Sequence, residues 1–152
     1  MPLPIRGVAH PPPPRNGRAN RADLTRAEID GTNLAGKPLL CEHDHGDRVG
    51  TVLASWKGRD GSLRIAANVE EPGAIDLVRK GEMRGLSLGT SMILAEDGDV
   101  AYRDQDELSI CAEGKRPGTW IDTINGKSVR QVECFSKSRA GARDFVPTQP
   151  LK

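Results

Sequence analysis

The sequence predicts a mainly β domain, a closed antiparallel barrel with a few short helices around it. Three observations predict it. Apolar and polar residues alternate in several short runs, Gly, Pro and Asp clusters separate those runs, and only two stretches carry helix start and stop signals. At 152 residues the chain has the length of one domain. We read 1–135 as that domain, with an exposed Pro-rich loop near 10–24, and 136–152 as a C-terminal tail.

Pro4 to Ala9 reads as a first strand. It runs into Pro11-Pro-Pro-Pro14 and a polar stretch to Arg21, which can join neither a helix nor a central strand. Thr25-Arg-Ala-Glu28 has capping-box spacing, so a short helix over 25–30, ended by Gly31, is expected. From Pro38 the pattern is β. Val49–Trp56 and Ser62–Val69 flank Gly58-Arg-Asp-Gly61 as a hairpin. Glu70 to Gly81 opens with acids and Pro72, places Ile75 and Val78 on one face, and closes on Lys80-Gly81, as a helix does. Gly85–Leu94, Leu108–Ala112 and Thr119–Ile124 are further strands. After them, Asn125-Gly126 fits a hairpin turn, while Val129, Val132 and Phe135 fit a helical stripe. The two readings stay open.

Composition excludes several classes. Lys plus Arg (22) balances Asp plus Glu (21), and five aromatic residues supply no stacking platform, so nucleic acid is not an expected partner. The apolar runs are too short to span a bilayer, and Met1–Ile5 is no secretory signal. Three cysteines without C-x-x-C spacing suggest reduced thiols in an intracellular, soluble protein.

Three polar residues carry the chemistry. Ser87 lies between two leucines in Gly85-Leu-Ser-Leu-Gly89, so its hydroxyl belongs to the face opposite them, and both glycines leave room for another backbone. Glu107 has the parity opposite to Leu108 and Ile110. His43 stands in Glu42-His-Asp-His45, ahead of the first long strand. A serine needs a base to become a nucleophile, and the base needs an acceptor for its other N–H. Each residue alone is ordinary for a strand. A second reading takes Cys41-x-His43-x-His45 as one strand face holding a metal, similar to cupin metal sites, but no fourth ligand motif follows. Cys111 lacks a neighbouring histidine and reads as a buried structural thiol.

Leu40-Cys-Glu-His-Asp-His-Gly-Asp-Arg-Val-Gly-Thr-Val52 resembles the histidine region of the herpesvirus capsid maturation proteases, the assemblins. Gly85-Leu-Ser-Leu88 is similar to their nucleophile segment, and Leu108–Thr119 to the segment that holds their third catalytic residue and a Gly-Arg-Arg-x-Gly-Thr run. Gly36-Lys-Pro38 and Ser87-Leu-Gly89 also resemble the tailed-phage prohead proteases. The resemblance covers roughly 36–119. It implies a closed barrel wrapped by helices and a serine endopeptidase that needs no cofactor. It further implies Ser87 as nucleophile, His43 as base, and the Lys115 backbone N–H with the Arg116 side chain at the oxyanion site. Where assemblins carry a second histidine this chain has Glu107, with Asp106 as the nearest substitute. The implied substrates are scaffold and capsid proteins inside an assembling procapsid of an infected cell, in a host nucleus or a bacterial cytoplasm. A homodimer or higher oligomer stays open, as does a non-catalytic β-barrel binding or assembly module of the same shape.

Overall fold

A computed structural model describes residues 1–14, 23–98 and 100–131, with backbone alone at 100–103 and 106. The tail at 136–152, Val132 and Phe135 of the helical stripe, and loop residues 15–22 lie outside the described residues.

The first strand, β1 (Leu3–His10), buries Leu3, Ile5 and Ala9 on alternate positions. Helix α1 (Arg26–Asp30) forms at the expected place. The Glu28 N–H donates to Thr25 Oγ1 at 3.2 Å and the Thr25 N–H donates to Glu28 Oε1 at 2.8 Å, both arms of the capping box. Two strands follow, β2 (Pro38–Cys41) and β3 (Asp44–Lys57), and then β4 (Leu63–Val69). The last buries Leu63, Ile65, Ala67 and Val69 in strict alternation. Helix α2 (Pro72–Arg79) is capped by the Glu71 carboxylate, which accepts the Ala74 N–H, and it turns Ala74 and Val78 into the core, with Ile75 only partly buried. The remaining strands are β5 (Gly85–Leu94), β6 (Val100–Cys111), β7 (Ile121–Ile124) and β8 (Lys127–Ser128). Asn125 and Gly126, at φ of 52° and 80°, make the β7–β8 turn, as the hairpin reading of those two residues expects.

The sheet departs from the expected closed antiparallel barrel. Its order is β5-β6-β2-β3-β4-β1-β7-β8, with β5 and β8 as its two ends, and β2 runs parallel to β6. Between β5 and the chain entering β7 there is only the isolated bridge Gly85–Trp120, flanked by Leu86 N–H to Thr119 C=O and Ile121 N–H to Arg84 C=O. The two strands then part. From Gly89 onward β5 continues as a two-stranded ribbon with β6, its residues 91–94 exposed, while β7 turns back into β8 after four residues. Among the described residues no ladder closes the ring.

The described residues share one hydrophobic core. Leu3 and Ile5 from β1, Val49 and Val52 from β3, the four inward residues of β4, Leu86 and Leu88 from β5, Leu108 and Ile110 from β6, and Ile121 from β7 pack together. Ile29 of α1, with Val78 and Ala74 of α2, packs into the same cluster. The apolar residues of β5 and β6 therefore fix which face Ser87 and Glu107 occupy. A Leu→Ala or Ile→Ala truncation in such a core removes transfer free energy and leaves a cavity. Ile65→Ala, at a position 0% exposed, is expected to lower the unfolding free energy by about 2–5 kcal/mol in a denaturant titration. A loss well under about 1 kcal/mol would contradict this packing.

Candidate active site

Strand register brings the candidate residues together. In the β5–β6 ladder Ser87 faces Ser109 and Gly89 faces Glu107, all on the side away from the leucines. Cys41 pairs with Asp44, which leaves Glu42-His43 as a two-residue turn between β2 and β3. Both turn residues are left-handed, with φ of 50° and 61°, a conformation that costs roughly 1–3 kcal/mol for each non-glycine residue. Contacts to β6 offset that cost. The Glu42 N–H donates to the Ile110 C=O at 3.0 Å, the Ala112 N–H donates to Glu42 Oε2 at 3.0 Å, and the His43 N–H donates to Ser109 Oγ at 2.9 Å.

The turn lays the imidazole over the β5–β6 ladder. His43 Nε2 lies 2.8 Å from Ser87 Oγ, and His43 Nδ1 lies 2.7 Å from Glu107 Oε2. An ionised carboxylate can only accept, so the Nδ1 proton donates to Glu107 and Nε2 is left to accept from the serine hydroxyl. Ser87 and Glu107 are 4% and 3% exposed, whereas the His43 side chain is 35% exposed, open on the side from which a ligand would come. Around it lies a cleft of roughly 580 Å³ whose walls include His43, Ser87, Thr90, Glu107, Lys115 and Arg116.

Lys115 and Arg116 thus share the cleft with Ser87. The Arg116 Nε–H donates to Asp23 Oδ1 at 2.8 Å, with both side chains about 15% exposed (15% and 14%). Asp23 escaped the sequence reading because it lies 93 residues from its partner, at the end of the Pro-rich loop. That loop is anchored by His10, 1% exposed, whose Nε2 accepts the Leu24 N–H at 2.9 Å and whose Nδ1 lies 2.7 Å from the Pro11 C=O. Ser109 also went unremarked; only the register with Ser87, and its place two residues from Glu107 on one strand face, could have pointed to it. The side chain of Asp106 lies outside the described residues.

Two expectations need correction. The left-handed turn at Glu42 and His43 breaks the alternation that would have put Cys41, His43 and His45 on one strand face, and among the described residues no group of three His, Cys, Asp or Glu is placed to hold a metal ion. The two glycines also serve different neighbours. At Gly85 a Cβ would meet the Gly114 backbone N at 2.2 Å, as expected for a backbone approach. At Gly89 it would lie 1.9 Å from Glu107 Oε2, so there the missing side chain makes room for a carboxylate.

Gly89→Ala is therefore expected to fold but to push Glu107 off His43, read as loss of the His43–Glu107 contact in a crystal structure or in ring ¹⁵N spectra. An unchanged contact would show that the strand can yield there. Burial, with the Glu42 charge as a lesser cause, pushes the Cys111 thiol up to about 12. At neutral pH Cys111 then stays a thiol, and a thiolate-directed alkylating reagent should reach it only on unfolding or in strongly alkaline solution. Rapid modification of native Cys111 at pH 8 would contradict that environment.

No protein-family model matches the chain, and no curated protein sequence does. Solved structures do. A Kaposi's sarcoma-associated herpesvirus (KSHV) protease in complex with a hexapeptide phosphonate inhibitor is 18% identical, with a TM-score of 0.58 over 82% of this chain and 65% of that one. A second KSHV protease structure is 16% identical, with a TM-score of 0.52 over 82% of this chain and 61% of that one. A third, in complex with an allosteric inhibitor, is 20% identical, with a TM-score of 0.53 over 78% and 74%. The chain thus spans less than two thirds of the first two. Over about four fifths of its length the chain is therefore similar in fold to the herpesvirus protease.

Proposed function

We propose that the domain is a serine endopeptidase that processes scaffold and capsid proteins during maturation of a viral procapsid. The observation that carries the reading is the continuous relay from Ser87 Oγ through His43 to Glu107, with both links under 3 Å. The fold likeness and the three sequence motifs support it.

In this reading Ser87 Oγ attacks the scissile carbonyl while His43 Nε2 takes its proton. Glu107 holds the Nδ1–H tautomer and stabilises the imidazolium that forms, the part that a second histidine plays in the assemblins. The carbonyl oxygen becomes an oxyanion facing the Lys115 backbone N–H and the Arg116 guanidinium, whose direction is set by Asp23. One such donor typically contributes about 3–4 kcal/mol in the transition state. His43 then returns its proton to the leaving amine, and water, activated by the same base, releases the acyl group from Ser87.

KSHV protease has been captured with dimer disruptors, which supports a homodimer as the working state here too. The proposed place of action is the procapsid of an infected cell.

A peptide phosphonate is the direct probe, because phosphorus attached to the nucleophile mimics the tetrahedral intermediate. Mass spectrometry should find one adduct, on Ser87, and none on Ser87→Ala. Glu107→Gln should keep the fold and slow both labelling and scaffold cleavage by about 10³–10⁴-fold, as loss of a triad carboxylate does. Cleavage that persists in Ser87→Ala would end the reading. A folded wild-type chain that neither labels nor cleaves would favour the non-catalytic assembly module.

A further inference from the structure

Ser109 is 0% exposed, lies between core residues Leu108 and Ile110, and stands in register with Ser87 on one side and Leu40 on the other. A hydroxyl removed from water must be hydrogen-bonded, and its partners indicate what it does. Its oxygen accepts the His43 backbone N–H at 2.9 Å, and its single proton goes to Glu107 Oε1 at 3.0 Å. A third neighbour, His43 Nδ1, is 3.4 Å away and already directs its proton to Glu107 Oε2 at 2.7 Å.

Both of the groups that Ser109 touches need fixing. The terminal torsion of a glutamate is broad and soft, so one hydrogen bond from Nδ1 leaves the carboxylate plane free to swing. The bond from Ser109 to Oε1 holds the second oxygen and so aims the first. The His43 backbone is left-handed and lies in a turn of only two residues, where a small rotation would carry the imidazole off Ser87. The bond from the His43 N–H to Ser109 prevents that rotation. One buried hydroxyl therefore sets the position of the base and the direction of its carboxylate together.

We infer that Ser109 is a positioning residue for the proposed hydrolysis, acting through His43 and Glu107 without touching substrate. The inference rests on the serine-protease reading, and it makes a structural claim that can be read separately. In ¹⁵N-histidine spectra the His43 Nδ1–H, assigned by its loss in His43→Gln, should give a sharp downfield signal protected from exchange. In folded Ser109→Ala that signal should broaden or vanish, and in Ser109→Thr, which keeps the hydroxyl, it should survive. With a peptide phosphonate, Ser109→Ala should lower the maximal labelling rate of Ser87 by about 10- to 100-fold while leaving the half-saturating concentration within about twofold, and Ser109→Thr should restore most of the rate.

A Ser109→Ala protein with wild-type labelling and an intact proton signal would overturn the inference and leave the protease reading standing. So would a folded Ser109→Thr protein that loses as much as Ser109→Ala. If the wild type ignores the phosphonate, the protease reading fails and the proton signal alone decides whether Ser109 holds His43 and Glu107.

Discussion

The candidate site depends on how β6 holds the two-residue turn between β2 and β3. A two-residue hairpin turn of this kind puts both central residues in the left-handed region, and without glycine each carries strain on the scale of a hydrogen bond or more. Here the parallel pairing of β2 with β6 delivers the turn to the end of β6, where Ile110, Ala112 and Ser109 satisfy it group by group. The one parallel pair among the described residues is therefore the pair that places the imidazole. An all-antiparallel meander would have carried His43 elsewhere.

The opposite wall of the site is built on the same economy of space. Gly89 sits across from Glu107 and leaves the volume that the carboxylate fills, while Leu86 and Leu88 hold the strand from the core side. Ser87 is placed by burial of its neighbours, His43 by backbone tethers, and Glu107 by a vacancy in the facing strand. Arg116 is held differently, by Asp23 at the end of a loop that the buried His10 anchors to β1. The N-terminal strand and the cleft wall are thus mechanically linked, although they are far apart in sequence.

Much of this was legible in the residues. Alternation in β4, the capping box of α1 and the acids and Pro72 of α2 are local signals, and each produced its element. The side of the sheet taken by Ser87 and Glu107 followed from parity with their apolar neighbours, which is also local. Sheet closure was not legible. Whether β5 and β7 form a ladder depends on how far they run together after Gly85 and Trp120, and no window of sequence contains that distance. Parallel pairing of a four-residue strand with β6 is likewise a long-range choice. Cys41, His43 and His45 looked like one strand face because alternation assumes extended backbone, and Glu42 and His43 do not have it. Ser109 and Asp23 stayed hidden because their links to His43 and Arg116 span 66 and 93 residues.

The central claim is that hydroxyl, imidazole and carboxylate act as one relay at the cleft. The most direct measurement is a crystal structure of the phosphonate-treated protein. The relay requires phosphorus bonded to Ser87 Oγ, a phosphoryl oxygen facing the Lys115 N–H and Arg116, and His43 still hydrogen-bonded to Glu107. Phosphorus on another side chain, or an adduct on Ser87 with His43 turned out of the cleft, would contradict it.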